Sequence, residues 1–467
     1  MPAPTQIAFG TDGWRAVIAE SFTYDNLRRV ADAAGRVFAA DHPGGTIYVG
    51  HDTRFEAESF AAAAAEVLAS HGLTVKVTDR YIPTPGLCWS IANDDAAVGG
   101  VILTASHNPA PYLGFKIRMA DGGASPVEFT NRVEAELRDE PPALRGGFEH
   151  VDLVTPYLAG LRSFVDAEAI AKTNLRVAVD PLFGAGQTYL AETLRHFGIE
   201  VLELHSTRNP GFGGLHPEPI PPHIDEAAEF VRANNLDAAF VTDGDADRIG
   251  AIDRFGNFVN PHRIICLVAR HLAEDKGYEG RIVKTLSTSV LVDRLGAYLG
   301  REVTTTPVGF KWIYDQMLKG DVMIGGEESG GIGVPAHVKE RDALLMSLML
   351  AEMMGQRGKS LDGLVDELIE VTGPMEYRRI DLKLAAGTDA KALLAQIPAS
   401  APAEVAGQAI RETLTYDGVK FMLPDDAWLL LRASGTEPLV RIYAEAGELE
   451  TVEALLAAGS AIVEGLL

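Results

Sequence analysis

VGGVILTASHNP, residues 98–109, is the stretch whose reading decides the fold. A nearly unbroken run of Val, Ile and Leu fits a strand buried on both faces, and it stops at Ser106, His107, Asn108 and Pro109, where a proline cannot continue a ladder. The same order of elements recurs along the chain. A β-rich run ends in a polar loop, a helical stretch follows, a second run opens after Gly, and a third run ends in a distinctive loop. The first copy reads TIYVGHDTR, HGLTVKVTDRYIPTPG and VGGVILTASHNP. In the second these are LRVAVDPLFGAG, FGIEVLELHSTRNPGFG and LDAAFVTDGDADR, and in the third RIVKTLSTS, LGREVTTTPVGFK and DVMIGGEESGG. Helical spacers such as FAAAAAEVLASHG and AETLRHFG separate the strands, which predicts three α/β domains with mixed, mostly parallel sheets. Ligands of such sheets gather beyond the carboxyl ends of the strands, so all three distinctive loops are expected to face one region.

After Pro374 the grain changes: YRRIDLKL, a helical KALLAQI, two β runs (GVKFMLP and AWLLLRASG) and a last helix predict a smaller α+β domain. The expected divisions are 1–150, 151–255, 256–372 and 373–467. A chain of 467 residues exceeds what one core serves and agrees with several domains.

Composition narrows the function. The formal net charge of −24 argues against nucleic-acid and anionic-membrane partners, which reward clustered Lys and Arg. Two cysteines, Cys88 and Cys266, make no disulfide framework and no zinc pattern, in keeping with a reducing, cytoplasmic setting. FAAAAAEVLA and ALLMSLMLAEMM are too short to span a bilayer and read as buried helices.

The loops carry the chemistry. TDGDADR sets Asp243, Asp245 and Asp247 at alternate positions, three hard oxygen ligands in one short turn; it is either a dication site or a solvated acidic turn. It is not a calcium loop, because Arg248 stands where that loop needs Gly and Arg254 where it needs Glu. Ser106 lacks a Gly-x-Ser-x-Gly elbow, and by itself reads as a cap or turn residue, with His107 beside it a structural histidine. RASGTEPLVRIYAE gathers Arg432, Ser434, Gly435, Thr436 and Arg441, which suits a phosphate or makes an ordinary turn with surface arginines. GGEESGGIG offers Glu327 and Ser329 on a glycine-rich turn, where carboxylate and hydroxyl suit sugar hydroxyls.

Five loops together, FGTDGWR (9–15), TASHNP (104–109), DGDADR (243–248), GEESGG (326–331) and RASGTEP (432–438), resemble the signature loops of the α-D-phosphohexomutases. The resemblance spans all four expected domains. It implies a central cleft in which Ser106 carries a phosphoryl group. That group is donated to a hexose monophosphate, and the 1,6-bisphosphate then returns its other phosphate. It also implies Mg2+ held by Asp243, Asp245, Asp247 and the serine phosphate of Ser106. Arg15 and Arg248 would steady transferring oxygens, and Lys116 would act with His107 in proton transfer, both tuned toward neutrality. Gly309 and Lys311 in VGFKW and His337 in AHVKERD resemble substrate-binding positions, as do Glu327, Ser329 and the tail loop. Two departures stand out: Leu113 replaces a frequent Asn before the GFK lysine, and Gly331 stands where glucose/mannose mutases often carry His. The expected activity is that of a phosphoglucomutase that also takes mannose phosphates, working as a monomer or homodimer with hexose 1,6-bisphosphate as activator and intermediate. The alternatives are a mutase for mannose or glucosamine phosphate, or a metal-dependent sugar phosphatase.

Overall fold

The computed structural model describes residues 7–10, 12–385, 387–397, 402–434 and 439–467. Three mixed sheets share one strand order. In the first, Trp14–Val17, Tyr112–Met119, Ala97–Leu103, Thr46–His51, Thr74–Thr78 and Glu149–Val151 lie side by side. The second runs Phe258–Val259, Ile249–Asp253, Ala238–Thr242, Arg176–Asp180, Glu200–Glu203, and the third Ile332–Gly333, Val322–Gly326, Arg281–Thr285, Val303–Thr306. In every copy the third apolar run pairs in parallel with the first, and the first with the second.

On its other side the third run pairs antiparallel with a strand that sequence reasoning left out: Tyr112–Met119, Ile249–Asp253 and Ile332–Gly333. The distinctive loops are therefore hairpin connections, not crossovers between parallel strands. The sheets are mixed for this reason, because a hairpin closes in a few residues whereas a parallel return needs a long crossover.

The two apolar stretches are helices, Ala57–Ala69 and Ala343–Arg357. In the second, every residue from Ala343 to Met354 is buried, so its polar face is absent because no face meets water. Asp342 caps it, accepting from the Leu345 N–H at 2.9 Å. Among the described residues no helix is long and apolar enough to cross a membrane.

The tail is a five-stranded antiparallel sheet ordered Glu376–Lys383, Leu439–Ala446, Trp428–Ala433, Val419–Met422, Glu412–Leu414, covered by the helix Leu449–Glu464. Two β runs were expected there. The missed strand Leu439–Ala446, read as part of a loop, is a central one, paired on both sides. The tail is packed onto the rest: Trp428, Leu430 and Tyr443 belong to the same apolar cluster as Ile265, Val290 and Leu291.

Candidate active site

Ser106 follows the strand Ala97–Leu103 with φ of +52°, a left-handed conformation uncommon for a residue with a side chain. Its N–H donates to Thr104 Oγ1 at 3.0 Å. Its carbonyl accepts from Arg54 Nη2 at 2.6 Å, and the same guanidinium reaches the carbonyls of Asn108 (2.6 Å), Pro109 (2.9 Å) and Tyr112 (3.0 Å). Arg54 is wholly buried and its charge is met by Asp52 at 3.0 Å. One side chain thus ties the serine loop together at four carbonyls. In the sequence, Arg54 of HDTR shows no role, since a polar strand end looks the same whether it faces solvent or a loop.

The serine hydroxyl donates to Asp243 Oδ2 at 2.9 Å and lies 3.4 Å from His107 Nδ1. Asp243, Asp245 and Asp247 are fully buried, with carboxylate oxygens within 4.8 Å of one another. Gly244 makes the approach possible: a Cβ there would stand 2.3 Å from the Ser106 carbonyl oxygen. Asp243 Oδ1 accepts the N–H groups of Asp247 (2.9 Å) and Arg248 (3.1 Å). Asp245 Oδ2 accepts from Thr84 Oγ1 (2.6 Å) and Lys116 Nζ (2.8 Å), while Asp247 Oδ2 faces Arg341 at 2.7 Å.

Burial and the neighbouring Asp247 and Asp245 push Asp243 well above the usual carboxylate range, and burial likewise raises Asp247 despite Arg341. Burial would raise Asp245 too, but Lys116 and Thr84 hold it below its ordinary value. Among the described residues, Asp245 Oδ1 and Asp247 Oδ1 are buried with no hydrogen-bond partner. Crowded hard oxygens with unused lone pairs are what a small dication such as Mg2+ satisfies, so these residues fit that ion.

His107 is kept neutral: burial, then the charges of Arg248 and Arg15, hold it well below the usual imidazole range. Its ring can therefore accept a proton. Lys116 goes the other way from expectation. Burial alone would lower it, but Asp12 (2.9 Å), Asp245 (2.8 Å) and Asp247 (3.6 Å) outweigh burial and raise it, so the ammonium stays charged. It is wholly buried on Tyr112–Met119, opposite Ile102. Arg15 donates to Asn108 Oδ1 at 2.6 Å, and Arg248 lies 3.6 Å from Glu218.

The sugar loop reaches this cluster through its backbone. Gly330, at φ +93°, accepts the Ile249 N–H at 3.1 Å, and a Cβ there would stand 2.6 Å from the Ile249 carbonyl oxygen. Gly331 bridges Arg248. Glu327 is 6% exposed and burial pushes its carboxyl up to about 7, against the pull of Arg341 at 4.0 Å. Ser329 is half-buried on the same turn. Arg341, a second residue sequence reasoning did not single out, joins Asp247 to Asp12 (3.1 Å) and Glu340 (2.9 Å). His337 is not brought here: its side chain is buried against Asp342 (3.3 Å), Tyr157 and Phe164.

Gly309 caps the helix Phe310–Leu318, on which the Lys311 ammonium lies 5.0 Å over the Trp312 ring. Asp417 ties this turn to the tail, accepting from the Val308 N–H at 2.7 Å and from Arg432 Nε at 3.0 Å. Arg432 and Arg441 are register partners on adjacent strands, and Arg441 Nε is buried without a hydrogen-bond partner among the described residues. Two like charges opposed across a ladder repel unless an anion joins them. The Ser434 N–H donates to the Leu439 carbonyl at 3.0 Å; Gly435 and Thr436 lie outside the described residues.

Sequence profiles of the phosphoglucomutase/phosphomannomutase family match alpha/beta/alpha domain I over residues 6–143, domain II over 155–256, domain III over 260–372 and the C-terminal domain over 383–459. A phosphoglucomutase/phosphomannomutase of Thermococcus kodakarensis is 32% identical over 98% of this chain and 99% of its own. A phosphoglucosamine/phosphogalactosamine mutase of Sulfurisphaera tokodaii is 30% identical, with 98% of this chain and 99% of its own covered. A crystal structure from Thermus thermophilus, assigned as a phosphomannomutase, superposes with a TM-score of 0.89 at 40% identity over 99% of this chain and 100% of that one. With all four domain profiles matched in order and relatives aligned end to end, the chain belongs to the phosphoglucomutase/phosphomannomutase family of intramolecular phosphotransferases.

Proposed function

We propose that the chain interconverts the 1- and 6-phosphates of glucose, and of mannose less readily, with Ser106 as phosphoryl carrier. The observation that carries this reading is the position of the Ser106 hydroxyl, 2.9 Å from Asp243 and 3.4 Å from a neutral His107. Phosphoryl transfer asks for positioning and charge neutralisation more than for a reactive side chain. In the proposed cycle the bond from phosphorus to Ser106 Oγ breaks as a bond forms to the free hydroxyl of a bound hexose monophosphate. The hydroxyl proton passes to His107 and the Ser106 alkoxide left behind is stabilised by the Lys116 ammonium; in the return step His107 gives that proton to the sugar oxygen released as the alkoxide takes up the phosphoryl group. The 1,6-bisphosphate then turns over and its other phosphoryl group returns to Ser106. Asp243, Asp245 and Asp247 would hold Mg2+, which when bound supplies positive charge to the phosphoryl oxygens. Lys116, kept charged by three carboxylates, neutralises charge near the serine. Arg15 and Arg248 orient the group in transit, and Arg432 and Arg441 grip the phosphate that is not transferred. Glu327 and Ser329 bind sugar hydroxyls, and Gly309 and Lys311 add further substrate contacts.

Intact mass before and after incubation with glucose 1,6-bisphosphate tests the carrier. Wild type is expected to gain one phosphoryl group and Ser106→Ala none, with turnover lost. Phosphate release measured beside isomerisation separates this reading from a phosphatase. The sugar is read from kcat/KM for glucose, mannose and glucosamine phosphates. A wild-type preference for a 2-amino sugar would replace the glucose reading and leave the carrier chemistry in place.

A further inference from the structure

A second group of metal-ligating side chains stands beside the serine loop, on the segment between the strand Glu200–Glu203 and the helix Asp225–Asn234. His216, Glu218 and His223 bring one ligand atom each to within 4.8 Å of the others. His216 Nδ1 is 3.8 Å from Glu218 Oε2, and the two imidazole rings stand 4.9 Å apart at 87°. The segment is turned back on itself by Glu218 N–H to His216 carbonyl (2.8 Å), Ile220 N–H to Glu218 carbonyl (2.9 Å) and His223 N–H to Ile220 carbonyl (3.0 Å). The His216 ring also lies 6.3 Å from the His107 ring, which sets the group against the serine loop.

We propose that His216, Glu218 and His223 form a second metal site, distinct from the aspartate triad and selective for a borderline transition cation of the Zn2+ class. The donor set sets the selectivity. Two imidazoles and one carboxylate favour Zn2+ or Cu2+, whereas Mg2+ takes all-oxygen sites and keeps its waters. Zinc bonds of about 2 Å put tetrahedral ligands roughly 3.3 Å apart, so small rotations of the two partly exposed imidazoles toward the largely buried Glu218 close the site. Its occupancy reaches the chemistry by two contacts. Glu218 is the carboxylate that faces Arg248 at 3.6 Å, and the His216 ring lies 6.3 Å from that of His107. Drawing both ligands onto a metal moves the partners of Arg248 and His107, and turnover slows.

The test is Zn2+ titration of the full chain in saturating Mg2+, against a chromophoric chelator and without sugar, so that its outcome is independent of the mutase reading. Wild type is expected to bind one Zn2+ that His223→Asn binds at least tenfold more weakly. His223→Asn is expected to keep its Mg2+-supported turnover and to need at least tenfold more Zn2+ for inhibition. Equal stoichiometry and affinity in the two proteins would overturn the site. Should His223→Asn not fold, one equivalent of Cu2+ added to wild type in excess Mg2+ decides instead: electron paramagnetic resonance showing imidazole nitrogens supports the site, and all-oxygen coordination overturns it.

Discussion

At the scale of single residues the most consequential side chain is one whose sequence context is silent. Arg54 donates to four loop carbonyls and to Asp52, all from a position with no exposure, so it holds both the backbone of Ser106 and the spacing to Asn108. Lysine keeps the charge but offers one nitrogen where the loop uses a planar fork. Arg54→Lys is expected to lower kcat by about a hundredfold, the scale of an ångström's misplacement, with KM nearly unchanged. If instead KM rose and kcat held, the clamp would serve sugar binding. Glu327 provides a test by pH. Burial raises its carboxyl from 4.5 to about 7, so the folded state holds the proton more tightly than the unfolded chain. Its contribution to stability is full below about 4.5 and is lost as pH rises through about 7, on the order of 3 kcal/mol in all. Glu327→Gln removes this dependence, so urea midpoints of wild type and variant should diverge between these limits, the variant gaining at the alkaline end. Parallel curves would mean that the carboxyl titrates normally.

At the scale of elements, the loops work because hairpins aim them at one another. The third strand of each sheet, its polar ending and its glycines were legible, since apolar runs punctuated by Gly and Pro need no tertiary knowledge. The returning strands were not. LGFKIRM carries Lys116 and Arg118 inside a strand, and such charges look solvent-facing until Asp12, Asp245 and Glu340 arrive from distant segments. The strand Leu439–Ala446 hid for the same reason, with Arg441 and Glu445 set among its apolar positions. Lys116 shows the limit at the site itself: the family resemblance pointed to proton transfer, but the carboxylates that keep it charged appear only in three dimensions. The glycines at the meeting points can be tested. A methyl at Gly244 would lie 2.3 Å from the Ser106 carbonyl oxygen, in a loop that Arg54 holds fixed, so backbone has to move. Gly244→Ala is therefore expected to separate the aspartate and serine loops, weakening Mg2+ at least about tenfold while the melting temperature falls by a few degrees, a loss of order 1 kcal/mol. Unchanged Mg2+ dependence of turnover would show that the two loops tolerate separation.

At the scale of the whole molecule, the tail sheet is a packing partner of the rest of the chain. Arg432 and Arg441 are offered by it, and Asp417 links it to the Val308 turn. Behind them the contact is apolar and deeply tied. Trp428 and Tyr443 are fully buried, Glu445 accepts from the Val290 N–H at 2.9 Å, the Ser289 hydroxyl and Trp428 Nε1, and Lys420 donates to the Leu286 carbonyl at 2.7 Å. A chain ending at Gly373 keeps the three repeated sheets, whose hydrogen bonds lie within residues 14–333. It loses the cover over Val290 and Leu291, and burying an aliphatic side chain contributes roughly 1.5–3 kcal/mol. The truncated protein is thus expected to fold with a lowered melting temperature and to bind a hydrophobic dye. It should also lose at least about a hundredfold in kcat/KM, since the two arginines proposed to grip the non-transferred phosphate are gone. Calorimetry and turnover on the same preparation distinguish the effects. A stable truncated protein without activity would assign the tail to phosphate binding, whereas one that turned over normally would place both arginines outside the working site.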